Sequence, residues 1–287
     1  MTSWIPNADN SDFSLQNLPY GIFSTENLDP RIGVAIGDYI LDLKALAQND
    51  IFASLDFDSA TLEATTLNAY ASLEKGVHRN VRKLLQEILS QDTPLGPVLR
   101  DHKTRRERVL VPLSSAKMHM PMQIGDYTDF FVGLYHAQNC SEIFLGKGLP
   151  PNFSSLPIAY HGRASSVVIS GTPLIRPRGQ FIHNGSPMEG PCQKLDFEVE
   201  FAAFIGRGNQ MGSHIDVDEA EEHIFGFVLV NDWSARDIQQ WESTPLGPFN
   251  GKNFCTTISP WIVTTEALEP FRTTTLQLVR TLPFPKL

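Results

Sequence analysis

The chain has 287 residues, enough for about two domains. Hydrophobic residues make up 41% of it and 20 positions are glycine, near the globular norm, which excludes a disordered polymer. Its 32 acidic residues outnumber 23 basic ones, and the net charge of -9 argues against nucleic acid as a partner, while no run reaches the ~18 apolar residues of a membrane span.

The first nine residues lack the cationic start and apolar core of a secretory signal. Between Arg31 and Leu43, Ile32, Val34 and Ile36 alternate up to Gly37-Asp38 and the pattern resumes at Ile40, so two strands joined by a tight turn are expected. The spacing then changes to a helical one, with Val77, Val81, Leu84, Leu85 and Ile88 on one face. Gly76 is expected to separate this helix from an earlier one carrying Leu67, Tyr70 and Leu73. A loop at Thr93-Pro94-Leu95-Gly96-Pro97 precedes the charged run Arg100 to Arg108, read as a solvated linker face, and the short apolar stretch Val109-Leu110-Val111. A domain junction near residue 118 follows from this punctuation. Beyond it, Ser165 to Ser170, Glu198 to Ile205 and Ile224 to Val230 read as strands. Cys140, Cys192 and Cys255 are odd in number and follow no pairing pattern, so neither a disulfide framework nor a zinc site is expected, and a reducing, cytoplasmic location fits.

Three places can carry chemistry. Asp129 and His136 are seven residues apart, so a helix through this segment would put both on one face; taken alone, His136 reads as a hydrogen-bonded packing histidine rather than a catalytic one. In Leu195-Asp196-Phe197-Glu198-Val199-Glu200-Phe201 apolar and acidic residues alternate, which places Glu198 and Glu200 on one strand face roughly 6.6–7 Å apart. Such a face is either solvated or relieved of its repulsion by a cation. The strand Ile224 to Val230 ends in Asn231-Asp232, where a rigid scaffold can present a third acid. If Asp129, Glu198, Glu200 and Asp232 converge, they offer the all-oxygen donors that Ca²⁺ or Mg²⁺ takes.

Five blocks in order, Ile124 to Phe130, Tyr160 to Ser166, Asp196 to Glu200, Asn231 to Gln239 and Gly247-Pro248-Phe249-Asn250-Gly251-Lys252, resemble the fumarylacetoacetase family. The likeness starts at Asn17-Leu18-Pro19-Tyr20-Gly21 and runs to about Phe271. It implies a mainly β (α+β) fold, with an SH3-like barrel in residues 1–118 and a mixed β-roll catalytic domain in residues 119–287. It also implies hydrolysis of the carbon–carbon bond of 4-fumarylacetoacetate, a β-diketo acid from tyrosine and phenylalanine breakdown, by a cytoplasmic homodimer. By motif, the Ca²⁺ ligands would be Asp129, Glu198, Glu200 and Asp232, with Mg²⁺ beside Lys252 and Thr256. His136 would be the base, Arg236, Gln239 and Lys252 would stabilise the oxyanion and leaving group, and Phe131, Tyr160 and Gln239 would contact substrate.

The chain departs from the family pattern at four places. Phe131 and Ser243 stand where the family has tyrosines and Leu145 where it has an arginine, which removes carboxylate-holding hydrogen bonds worth roughly 1–3 kcal/mol each. Family chains continue beyond position 287, with a glutamate that orients the histidine, and the stretch from Thr274 to Leu287 is unlike them. An incomplete β-roll, a poorly soluble and weakly active or partner-dependent chain, and a modified diketo-acid substrate are the corresponding expectations.

Overall fold

Alternating side chains build the first sheet. The computed structural model describes residues 2–273, apart from the side chains of Phe144 and Leu145, so the stretch from Thr274 and the Leu145 substitution lie outside what is described. Strands Tyr20–Thr25, Leu28–Ile36 and Tyr39–Asp42 form an antiparallel meander in which Val34 faces Leu41 and Ile36 faces Tyr39. Gly37 turns the second into the third with φ +55°, and a side chain there would run into the backbone of Pro6. Leu110–Pro112 and Lys117–His119 complete five strands at the two edges.

One helix covers this sheet. Lys75–Leu89 buries Val81, Leu85 and Ile88, the stripe expected from the spacing. Gly76 does not separate it from its predecessor, because it lies inside the helix with open space around its α-carbon. The break comes one residue before the helix begins, where Glu74 is extended with ψ 145°, and the preceding Asn68–Ala71 is a single turn. The charged run after residue 100 is also partly helical, as Lys103–Val109, with Arg105 and Arg106 donating to the carbonyls of Val98 and Arg100.

The second sheet is laid out around Ile224–Asp232. Val199–Ile205 pairs antiparallel with one side of it, Thr256–Ile258 and Val263–Thr264 pair with the other, and Val167–Ile169 joins Thr256–Ile258 in parallel. Its Val228, Val230 and Ile258 pack in the same apolar core as Ile22, Ile36, Tyr70 and Leu85. Backbone bonds from Tyr20 to Ile262 and back, 2.9 and 2.7 Å, tie the two sheets directly. A hairpin, Arg178–His183 and Ser186–Pro191, turns on Asn184-Gly185 with both φ positive and seats Phe181 against Ile238 of helix Arg236–Glu242. The chain is thus a mixed α+β fold. No helix among the described residues is long and apolar enough to cross a membrane.

Candidate active site

The second sheet and a separate two-stranded ribbon bring acids from three strands together. Asp232 terminates Ile224–Asp232 opposite Thr256, and Glu200 pairs with Val230 one strand away. Asp129 arrives on the separate ribbon Thr128–Phe130, opposite Tyr160 of Ala159–His161. Carboxylate oxygens of Asp129, Glu200 and Asp232 lie within 4.8 Å of one another. Asp232 is buried at 2% exposure and the other two are half-buried.

The strand carrying Glu200 is inverted relative to a solvated acidic face. Its inward residues are Glu200, Ala202 and Phe204, whereas Val199 and Phe201 are 72% and 62% exposed. A solvated-acid reading of this segment is therefore excluded, because the enclosed side of the strand holds the carboxylate.

Glu198 converges on the site but not on the three-acid cluster. Its Oε1 accepts from Arg236 Nη1 at 2.6 Å, Lys252 Nζ at 2.8 Å and the Ser234 hydroxyl at 3.0 Å. Lys252, only 4% exposed, also donates to Asp232 Oδ2 at 2.6 Å, and Thr256 donates to Asp232 Oδ1 at 3.3 Å. Arg236 is braced from behind by Asp196 at 3.0 Å and by Gln239 Oε1 at 3.4 Å.

These partners split the two glutamates. Burial alone would raise the Glu198 carboxyl, but Lys252, Arg236 and Ser234 together hold it at about 2. Glu200 makes no such ion pair among the described residues, and burial followed by the charges of Asp129, Asp232 and Glu198 outweighs the charge of Lys252 and pushes it up to about 8. Burial likewise raises Asp129 and Asp232. Four acids against the two cations Lys252 and Arg236 leave a buried surplus of negative charge, the situation a bound divalent cation relieves. The donor set is oxygen only, which suits hard ions of the Ca²⁺ and Mg²⁺ type.

His136 does not share a helix with Asp129. Strand pairing holds residues 128–130 extended, and the helix Leu134–Leu145 starts only after Gly133, so the seven-residue spacing has no helical meaning. His136 nevertheless lies close enough to Asp129 to favour its charged form. The exposed ring packs edge-on against Phe131, with centroids 5.5 Å apart, and the Cys140 thiol lies 3.6 Å from Nε2. Burial and then the charges of Asp232 and Asp129 push the Tyr160 hydroxyl well up, so it is a neutral donor at the cluster. The Ser243 hydroxyl turns back to donate to the Gln239 carbonyl at 2.5 Å. Tyr127 and Ser234 belong to the site although their spacing gave no sign of it. Ser234 is fully buried and faces Glu198, and Tyr127 fills the space beside Gly162, where any side chain would collide with its ring.

A fumarylacetoacetase N-terminal family model matches residues 16–121 and a fumarylacetoacetate (FAA) hydrolase C-terminal model matches residues 130–280. The fumarylacetoacetase of Emericella nidulans is 51% identical over 288 residues, covering 96% of this chain and 67% of the relative. Those of Rattus norvegicus and Oryza sativa subsp. japonica are 52% and 49% identical, each covering 94% of this chain and 65% of the relative. The chain therefore spans about two thirds of the length of the curated relatives it matches. Among solved structures, a fumarylacetoacetate hydrolase from Exiguobacterium antarcticum aligns over 88% of this chain and 69% of its own at 19% identity, with a TM-score of 0.48.

Proposed function

The chain belongs to the fumarylacetoacetase family, and from that premise we propose that it hydrolyses 4-fumarylacetoacetate, or a close β-diketo acid, to fumarate and acetoacetate. The observation that carries this reading is the convergence of Asp129, Glu200 and Asp232 at the end of the sheet. With Glu198 beside them they would hold Ca²⁺. A cation bound there supplies Lewis-acid polarisation of the diketone oxygens. For Mg²⁺, Thr256 would offer a single hydroxyl oxygen, and the Lys252 ammonium would neighbour the cation without ligating it.

In this proposal His136 removes a proton from water as the oxygen attacks the carbonyl next to the scissile bond. The carbon–carbon bond then breaks with its electron pair leaving on the acetoacetate carbon, and the proton is returned to that carbon. Lys252, Arg236 and Gln239 are donors for the developing negative charge; Lys252 and Arg236 are already ordered by Asp232, Glu198 and Asp196, and Gln239 by its contact with Arg236, so little reorganisation is needed. Tyr160 and Phe131 line the substrate's approach, the first as a neutral hydroxyl donor and the second as an apolar wall against His136.

The same proposal keeps an SH3-like barrel to residue 118 and a β-roll from residue 119, supported by the five-stranded first sheet and by the sheet around Ile224–Asp232. It also keeps a cytoplasmic homodimer. The free thiols of Cys140, Cys192 and Cys255 support a reducing location. A second reading, a chain that acts only with a partner, is favoured by the exposed apolar strand face of Phe197, Val199, Phe201 and Leu229. Fumarylacetoacetate turnover by the purified chain, abolished by chelator and restored by Ca²⁺, tests the main reading. Metal-independent turnover contradicts it, and turnover that appears only with a second protein selects the alternative.

A further inference from the structure

The helix that carries Arg236 and Gln239 and the turn that carries Lys252 come from separate stretches, yet Arg236 and Lys252 meet on one carboxylate oxygen, Glu198 Oε1. Something has to fix the spacing between them. Helix Arg236–Glu242 ends in Glu242, and the chain then loops through Gly247, φ +102°, into the turn Asn250–Asn253. Glu242 Oε1 accepts the backbone N–H of Phe249 at 2.9 Å and of Gly251 at 2.5 Å. Two amides on one carboxylate oxygen are charge-assisted bonds; they bracket Asn250, and Lys252 comes directly after the second of them. The Phe249 carbonyl in turn accepts from the amides of Lys252 and Asn253, so the turn is built on the residue that Glu242 holds. On the other side, Gly251 sits so near the helix that a Cβ would lie 2.7 Å from the Gln239 nitrogen.

We infer that Glu242 is a positioning residue for Lys252. The inference rests on the role proposed above for Lys252 in the reaction. Glu242 touches neither the acid cluster nor any group of the proposed chemistry directly. It sets the distance between the helix and the turn, and thereby the reach of the Lys252 ammonium to Asp232 Oδ2 and Glu198 Oε1. Its acceptor position matters for this, since a side chain one methylene shorter cannot reach both amides from the same backbone, whereas a glutamine of equal length can.

The experiment compares wild type, E242D and E242Q at saturating Ca²⁺, with hydrogen–deuterium exchange across residues 246–253 and steady-state turnover of fumarylacetoacetate as the two readouts. E242Q should keep slow exchange at the Phe249 and Gly251 amides and nearly unchanged kcat. E242D should lose that protection and lose about 10- to 100-fold in kcat with KM within about threefold, the signature of a misplaced group that acts in the transition state. Any other pattern overturns the assignment: both variants like wild type, both impaired, or E242Q impaired with E242D intact, which would make charge rather than reach the operative property. Exchange needs no substrate. If the wild type protects both amides and E242D alone releases them while no variant turns substrate over, the positional assignment stands and the proposed activity fails.

Discussion

Lys252 Nζ lies 2.6 Å from Asp232 Oδ2, and both groups are almost wholly buried. The pair comes from two elements, a strand end and a short turn, and Lys252 uses the same ammonium to hold Glu198. It is the pivot between the three-acid cluster and the paired glutamate.

Removing that pivot leaves the buried Asp232 without its ion-pair partner and Glu198 with Arg236 alone. Lys252→Met should lower stability by about 3–5 kcal/mol, the typical loss when one partner of a buried pair is deleted. Urea unfolding of the metal-free protein measures it. A loss under 1 kcal/mol would mean that Asp232 and Glu198 find other partners.

Glu200 predicts a pH dependence of definite sign. Its carboxyl sits at about 8 in the metal-free fold against 4.5 in the ordinary range, so the folded state holds a proton that the unfolded state has released. That contribution to stability is complete below pH about 4.5 and is lost progressively as the pH rises to about 8. Melting temperatures measured with chelator across this window should fall more steeply for wild type than for Glu200→Gln. Equal slopes would contradict the raised carboxyl.

His136→Ala should cut any diketo-acid turnover by about 10²–10⁴-fold, the range for loss of a positioned base. Divalent-cation affinity should be nearly unchanged, because the ring lies outside the three-acid cluster. Parallel kinetics and calorimetry check both halves, and an active variant would place the base elsewhere.

Gly251 packs on the backbone of Gln239, with an added Cβ 2.7–2.8 Å from that residue's nitrogen, α-carbon and Cβ. Gly251→Ala should therefore cost about 1–3 kcal/mol and reduce turnover, since the turn carrying Lys252 must retreat from the helix. A variant as stable and active as wild type would show that the turn yields freely.

Much of this architecture is legible from local pattern. Ile32, Val34 and Ile36 announce the hairpin across Gly37-Asp38, Val81, Leu85 and Ile88 the helix Lys75–Leu89, and the apolar run ending in Asn231-Asp232 the strand that presents Asp232. The acidic alternation of Glu198 and Glu200 marks a special strand, but not that its apolar members would be the exposed ones, because which face is enclosed depends on what packs above it. The division of labour between the two glutamates is equally hidden. It is decided by Lys252 and Arg236, which arrive from over 30 residues away and favour one carboxylate over its neighbour. The hairpin at Asn184-Gly185 lacks a period-two signal because its strands are mostly exposed and carry Pro187 and Pro191, so the turn alone betrays it. Spacing misleads at Asp129 and His136, where strand pairing with Tyr160 overrides a helical count.

The central claim is that Asp129, Glu200 and Asp232 form a divalent-cation site. Titration calorimetry of the purified chain with Ca²⁺ at pH 7, repeated in buffers of different ionisation enthalpy, tests it most directly. The account predicts binding accompanied by proton release from Glu200, with both signals lost in Asp232→Asn. Absence of binding to the folded protein, or undiminished binding by Asp232→Asn, would contradict it.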